Sequence, residues 1–573
     1  MRDCEYKATS TYQRLRSLLS TAAVTVAIFF FLAGCDLIAG NTNDSDTSSD
    51  EEQGTEDSDT QAPAEVTNLT ATSGDQTAVL AWTDPFDADF AGVEITWSPN
   101  GTTVQSVDPG VESYTADGLT NDETYTFTVK TVDDAGNASS GQDVSATPAS
   151  SQFQTGIAIQ RASETLSDGT GGDADSQWPG IDGDGSVVVF DSAAANLVTG
   201  DTEGEEDVFV LDREAGTLER ISVGTSGGGG NNISGNPVVT PDGRYVVYES
   251  RATNLVANDT NSQYDVFVYD RDTGETERVS VASDGTQAND GSFEAAVSSD
   301  GRFVAFESDA TNLVANDTNG RRDVFVHDRD TGSTTRVNVD DSGNAPSSYD
   351  SDEVDISGDG NLVVFQSQSP VFAADDDNNL VDVFLRDIAA GTTIRVSVDT
   401  DETDGDGGDP DGSSTDPAIS SDGSTVVFAS TATDLIASDG NNDQDVFSYD
   451  VATQAIERVS VDTGGGDPNG NSAGGFRPYL DVSGDGRYVV FDSYASDLIA
   501  DDTNSVWDVF VVDRQEGATQ RMSEASDGTQ GTNYSYRVAI SDNGAYVAFS
   551  SVASNLIGDD SNNRTDVFVA PVE

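Results

Sequence analysis

The stretch Asn236-Pro-Val-Val-Thr-Pro-Asp-Gly-Arg-Tyr-Val-Val-Tyr-Glu-Ser250, continued by Asp265-Val-Phe-Val-Tyr-Asp270 and Glu275-Thr-Glu-Arg-Val-Ser-Val281, decides the fold. Its four runs are short and rich in Val and Tyr. They are separated by an Asp242-Gly243 turn, a polar loop and a Thr273-Gly274 turn, so they read as four antiparallel strands, here a to d. Glycine at these turns supplies the positive φ of a tight hairpin. The same unit recurs along the chain. Asp-Val-Phe begins at Asp207, Asp265, Asp323, Asp382, Asp445, Asp508 and Asp566, at spacings of 58, 58, 59, 63, 63 and 58 residues. Asp-Gly pairs start at Asp184, Asp242, Asp300, Asp359, Asp422 and Asp485, and the last unit has Asp542-Asn-Gly. A repeat of this length suits one four-stranded blade with its loops.

The chain ends predict how the ring closes. The last unit stops after its third strand, Asp566-Val-Phe-Val-Ala570, and the missing fourth stands near the start, where Ala158-Ile-Gln-Arg-Ala-Ser163 echoes Thr519-Gln-Arg-Met-Ser523. Joining them would cover two sheet edges that otherwise invite aggregation. The expected fold over 153–573 is a seven-bladed, all-β propeller of four-stranded blades, closed by an N-terminal strand. The repeat resembles that of TolB-type propellers, which share the strand pair Ser-x-Asp-Gly-x-x-Val-x-Phe. It departs from TolB in having seven blades rather than six and no recognisable TolB amino-terminal domain, so the resemblance does not carry a role in the Tol system.

Upstream, residues 62–149 carry Val66-Thr-Asn-Leu69, Ala78-Val-Leu-Ala-Trp82, Val93-Glu-Ile-Thr-Trp97 and Tyr125-Thr-Phe-Thr-Val-Lys-Thr-Val132, with Gly, Pro and Asp turns between them. This is the pattern of a small β-sandwich. It resembles fibronectin type III, with Trp82 at the buried second-strand position and Leu119 and Tyr125 as in that family's tyrosine corner. The resemblance implies a spacer or an adhesive unit.

Residues 1–34 open with Arg2, Lys7, Arg14 and Arg16 and an apolar run from Thr21 to Leu32, too short for an ordinary span, and read as a signal peptide. They end Leu32-Ala33-Gly34-Cys35, which resembles the lipobox of bacterial lipoproteins. The resemblance implies acylation of Cys35, an anchor in a bacterial membrane, and a place in the cell envelope on its periplasmic or surface face. The alternative is a plain signal peptide or an uncleaved anchor. Asp36 resembles an inner-membrane retention signal of enterobacteria-like systems, which other lineages ignore. Residues 35–61 are nearly all polar and acidic, and a flexible tether of that length spans about 30 Å root-mean-square. With Cys4 in the leader and Cys35 acylated, no structural disulfide is expected.

The chain has 103 acidic and 26 basic side chains, a formal charge of −77. Nucleic acid is excluded as a partner, since phosphates need basic contacts. Such a surface attracts cations and stays soluble at high ionic strength. Every b–c loop carries the spacing D-x-[N/E]-x-x-x-D: Asp201, Glu203, Asp207; Asp259, Asn261, Asp265; Asp317, Asn319, Asp323; Asp376, Asn378, Asp382; Asp439, Asn441, Asp445; Asp502, Asn504, Asp508; Asp560, Asn562, Asp566. Three oxygen-bearing side chains at these offsets could converge on calcium, or they could cap loop amides in Asx-turns. The loop from Asp399 to Asp411 is denser still in carboxylates, and reads equally as a cation loop or as disorder.

The b–c and d–a loops share one face of the propeller and are long, varied and acidic, so a ligand is expected there. At the central mouth, Trp178, Phe293, Arg477, Tyr479, Tyr536 and Arg537 could supply aromatic and basic contacts, or could pack the channel. Catalysis lacks its usual groups. His327 is the one histidine, Lys130 the one lysine beyond the leader, so Ser-His-Asp, Cys-His, histidine-zinc and Schiff-base chemistry have no residues to run on. A glycosidase built on two carboxylates remains, with no pair standing out. The expectation is a monomeric binding or adhesion scaffold for an envelope protein or glycan. A carboxylate enzyme and a purely structural envelope protein are the two alternatives.

Overall fold

The computed structural model describes residues 61–573 apart from 75–76, 88, 100–104, 108, 112, 117–118, 121–123, 147–158, 202–203, 374–375, 377, 399–407, 438, 475–479 and 559. Residues 1–60, with Cys35 and Asp36 and the expected leader and tether, lie outside the described residues. Every regular element among the described residues is a strand.

Residues 62–147 form two antiparallel sheets. Thr67–Gly74, Thr77–Thr83 and Ser113–Ala116 make a three-stranded sheet, and Gln105–Val107, Phe90–Ser98, Tyr125–Asp133 and Gln142–Ala146 pair in that order in a second. In Tyr125–Asp133 burial alternates strictly, Tyr125, Phe127 and Val129 turning inward, because successive strand side chains point to opposite faces. Trp82 joins them in the core with Val66, Leu80, Ile95 and Leu119. The Tyr125 hydroxyl accepts the Thr120 amide at 2.9 Å, which ties the corner beside Leu119.

From residue 160 onward the described residues form seven four-stranded antiparallel sheets, each ordered a-b-c-d. Blades 1 to 6 span 176–220, 234–278, 292–336, 351–395, 414–458 and 480–521. Blade 7 takes three strands from 535–571 and its fourth from Gln160–Arg161, with Phe568 opposite Arg161 and Val569 opposite Gln160. The chain start thus finishes the last blade.

Asp-Val-Phe recurs for a packing reason. The strand-c phenylalanine sits directly opposite a strand-b aromatic, as Phe209 opposite Phe190 and Phe267 opposite Tyr248. The rings lie 5.7 and 5.8 Å apart, and all four side chains are fully buried. Burying such a ring is worth about 1.5–3 kcal/mol, so the pair is a large part of what one blade gains by folding.

The ring is closed: the innermost strand of blade 1 packs against those of blades 2 and 7. Around the axis, backbone bonds pass from blade to blade at the a–b turns. Gly183 donates to Pro241, Ser299 to Gly358, Gly358 to Ser421, Asp422 to Gly484, Gly484 to Asp542, and Asn543 back to Gly183. Among the described residues the circuit is interrupted between blades 2 and 3, where Pro241 has no N–H to give.

Candidate functional site at the channel mouth

The recurring loop carboxylates meet a partner that the sequence reading missed, the arginine near the end of strand d. Arg220 lies 2.9 Å from Asp201 and 3.0 Å from Asp207. Arg336 lies 3.4 Å from Asp317 and 3.1 Å from Asp323. Arg278 bridges Asp259 and Asp265, Arg458 bridges Asp439 and Asp445, and Arg161 bridges Asp560 and Asp566. Arg521 pairs with Asp502. The last aspartate of each set also accepts a side chain two residues beyond the arginine, for example Ser280 on Asp265 at 2.6 Å and Ser523 on Asp508 at 2.5 Å. The end of strand d is thereby fastened to the aspartate that opens strand c in every blade, the donated strand of blade 7 included, where Ser163 holds Asp566.

This geometry is that of the second reading of the seven sets, caps on loop backbone. The side-chain nitrogens of Asn319, Asn441, Asn504 and Asn562 donate to the final aspartate of their sets, while their oxygens accept backbone amides two residues on. Asn261 and Asn378 turn the same nitrogen to the carbonyls of Ala288 and Pro410. These asparagines hold the loop backbone as Asx-turns do, and the cation beside the carboxylates is a guanidinium. Glu203 lies outside the described residues, as does most of the loop from Asp399. Blade 4 brings three buried carboxylates, Asp376, Asp382 and Asp409, within 4.8 Å of one another. Arg395 enters that group too, 2.5 Å from Asp409 and 3.8 Å from Asp382.

The mouth of the channel is built differently. In six blades the third residue of strand a, or its equivalent, breaks the register against strand b and adopts a left-handed backbone: Trp178 (φ 52°), Asn236 (54°), Glu294 (36°), Glu353 (50°), Asp416 (54°) and Arg537 (52°). The neighbouring blade's strand b takes up the exposed amide in three of them. Asp191 accepts from Asn236 at 3.1 Å, Glu249 from Glu294 at 3.3 Å, and Gln366 from Asp416 at 2.9 Å. Glycine or asparagine would suit such a bulge best, because a Cβ there costs roughly 1–2 kcal/mol. Five of these six residues carry a larger or charged side chain instead.

Two cavities meet here. The axial channel holds about 290 Å3 and is lined by the innermost strand of every blade, with the acids Asp182, Glu294, Glu353, Asp355, Asp416, Asp481 and Asp542 and the single base Arg537 among apolar and small residues. A second cavity of about 270 Å3 opens beside it, between Trp178, Tyr264 and Arg537 and the carboxylates Asp191, Glu206, Glu249 and Glu294. Glu206 and Tyr264 immediately precede strand c, which sets this cavity on the face of the b–c and d–a loops. Burial pushes the Asp191 carboxyl well above the usual range, the charges of Glu206 and Glu249 push it further, and Arg537 opposes them.

The structure brings together part of the expected mouth set. The Arg537 guanidinium lies 3.9 Å above the Trp178 ring and bonds Gln177, and the Tyr536 ring is 5.5 Å from it. Phe293 sits in blade 3, against Tyr264 and 4.8 Å from the Arg322 guanidinium. Arg477 and Tyr479 lie outside the described residues. The reading of the sequence passed over Asp191, Glu249 and Tyr264, which stand at unremarkable strand positions and matter only once the blades are laid side by side. His327 is a buried strand-c residue paired with Thr334 at 2.9 Å, and burial lowers its pKa.

Residues 62–147 match the fibronectin type III domain model. They are a fibronectin type III domain. Beyond that fibronectin type III domain, the comparisons reach the propeller only as shape. No curated protein matches the chain. Among solved structures it is similar to oligogalacturonate lyase from Vibrio parahaemolyticus, at 16% identity and a TM-score of 0.44, over 73% of this chain and 95% of that one. It is similar to a structure described as TolB from Agrobacterium tumefaciens, at 15% identity and a TM-score of 0.31, over 50% and 80%. The WD40 repeats of RRP9 share 11% identity at a TM-score of 0.37, over 73% and 98%. The strand pairing described above, rather than these likenesses, establishes the propeller.

Proposed function

We propose that this protein is a non-enzymatic binding scaffold of the cell envelope, held by an acylated Cys35 and a flexible tether, and that its propeller grips a protruding group of a protein or glycan at the channel mouth. One observation carries the reading. The mouth pays for left-handed backbone at residues with large or charged side chains, Trp178, Glu294, Glu353, Asp416 and Arg537, where glycine would serve the fold better. What such positions gain is the side chain itself, aimed by a rigid ring into a common opening. The cavities beside it, about 270 and 290 Å3, fall just below the roughly 300–1,000 Å3 of a drug-sized pocket, which suits one side chain or one sugar residue rather than a whole oligomer.

The residue inventory supports binding over catalysis. His327 is hydrogen-bonded inside a blade, and the recurring loop carboxylates are engaged by arginine rather than open to a substrate. The test is binding of the acylated protein and of its Trp178→Ala variant to a glycan array and to separated envelope proteins, with a hydrolysis assay on every hit. The reading requires a bound species that Trp178→Ala loses and that is recovered chemically unchanged. Turnover of the hit, or retention of every hit by Trp178→Ala, would remove it.

A further inference from the structure

The cavity beside the channel has a counterpart inside the same molecule, one blade further round, and there the occupant is visible. In blade 3 the residue before strand c is Arg322, and its guanidinium lies 4.8 Å from the Phe293 ring, 2.9 Å from Glu307 and 3.2 Å from Asp309. Glu307 is a strand-b carboxylate, 2% exposed, in register with Glu249 of blade 2 and Asp191 of blade 1. The residue in register with Arg322 is Tyr264 in blade 2 and Glu206 in blade 1. Over blades 1 and 2 the acids therefore remain and the internal arginine is replaced by an aromatic ring and a further acid.

From this comparison we infer that the cavity walled by Trp178, Tyr264, Asp191, Glu206, Glu249 and Glu294 receives a guanidinium or ammonium group from outside the chain. The inference rests on the binding-scaffold reading and names the chemistry of the ligand. The glutamates Glu206, Glu249 and Glu294, with the buried Asp191 carboxyl beside them, outnumber the one guanidinium lining the cavity, that of Arg537, so an anion is repelled and a cation gains. Two aromatic faces add attraction that a neutral group of the same shape would not receive. Arg537 3.9 Å from the Trp178 ring and Arg251 5.5 Å from the Tyr264 ring show that guanidinium groups already settle on both rings. A volume of about 270 Å3 accepts the end of one arginine or lysine side chain, or of a small amine.

The deciding experiment is calorimetric titration of the full acylated chain in detergent with N-acetyl-arginine amide, its uncharged counterpart N-acetyl-citrulline amide, and spermidine. The arginine probe should bind at least about tenfold more tightly than citrulline, the loss expected when a desolvated cation–π contact and charge-assisted bonds go together. Glu249→Gln, which keeps an acceptor for the Glu294 amide, should weaken the arginine probe by a similar factor, and raised salt should weaken it further. Spermidine separates the sources: binding at or above the arginine level assigns the cavity to free amines, and weaker binding assigns it to the planar guanidinium of a peptide. Citrulline equal to arginine, or no binding of either cation, overturns the inference, and because this contrast uses the unsubstituted protein it stands even if Glu249→Gln misfolds. If both cations fail while a glycan or protein hit lost by Trp178→Ala persists, the cation assignment falls and the scaffold reading survives. If no such hit exists either, both fall.

Discussion

Replacing Arg458 by methionine tests the arginine clamp where it bears most charge. Arg458 is almost fully buried and meets Asp439 at 3.6 Å, Asp445 at 3.6 Å and Asp467 at 2.6 Å, with Asp439 and Asp445 themselves buried. Methionine fills much of the volume, so the loss is chiefly electrostatic: buried carboxylates are left without their cation, at about 3–5 kcal/mol. A propeller of this size that unfolds as one unit moves its midpoint by roughly 1 °C per kcal/mol, so guanidinium denaturation at fixed pH reads the change better than a melt. The pH dependence gives the sign. With Arg458 present, burial already pushes Asp445 up to about 6 against 3.8 for the unfolded chain. Without it the folded-state value rises further, so the acid form is favoured by folding and stability falls as pH climbs through that value. The deficit of Arg458→Met should be largest near pH 8 and shrink toward pH 5. A deficit below about 1 kcal/mol at pH 8, or one that does not shrink in acid, would refute the clamp as the fastening of strand d.

Trp178→Gly should raise stability by about 0.5–1 kcal/mol, since glycine accepts the left-handed backbone without strain, while abolishing ligand binding; a loss of stability on denaturation would show that the ring packs rather than binds. In the channel, burial raises Asp355 to about 6 and Asp481 to about 7, both above their ordinary 3.8. Folding therefore favours their protonated forms, and the stability this gives is full below pH 4 and lost as pH rises through 6 and 7. The unsubstituted protein should be less stable at pH 8 than at pH 5 by about 2 kcal/mol or more, and equal stability would count against it. Arg161→Ala should unfasten the donated strand from Asp560 and Asp566 and expose the edge of blade 7, read as self-association in light scattering that the matched Arg521→Ala does not produce. Similar behaviour of the two variants would deny blade 7 its special closure.

The blade architecture was written plainly in the sequence because it rests on local patterns. Asp-Val-Phe marks strand c, Asp-Gly marks the a–b turn, and the likeness of Ala158–Ser163 to a strand d located the closing strand. The carboxylate sets were equally legible as positions but not as chemistry, for calcium and guanidinium both collect aspartates. The deciding residue was present, since Arg-x-Ser or Arg-x-Asn ends strand d as faithfully as aspartate opens strand c: Arg220 with Ser222, Arg336 with Asn338, Arg458 with Ser460. Its meaning depends on strand d lying beside strand c, a relation between residues 13 apart that only the sheet register fixes. The mouth was legible at Trp178 and Arg537, whose aromatic and cationic character stands out in strand a. Asp191, Glu249 and Tyr264 were not, because they belong to different strands and meet only where one blade's strand b faces the next blade's bulge.

The central claim is that the loop-side mouth over blades 1 and 2 holds a partner while the opposite face does not. Photo-crosslinking in the living source cell tests it directly, with the reactive residue placed at Tyr264 beside the cavity or at Thr273 in a c–d turn on the far side. Position 264 should give a discrete adduct that vanishes in the Trp178→Gly background, and position 273 should give none. An adduct of the same species from both positions, or one at 264 indifferent to Trp178→Gly, would contradict the account.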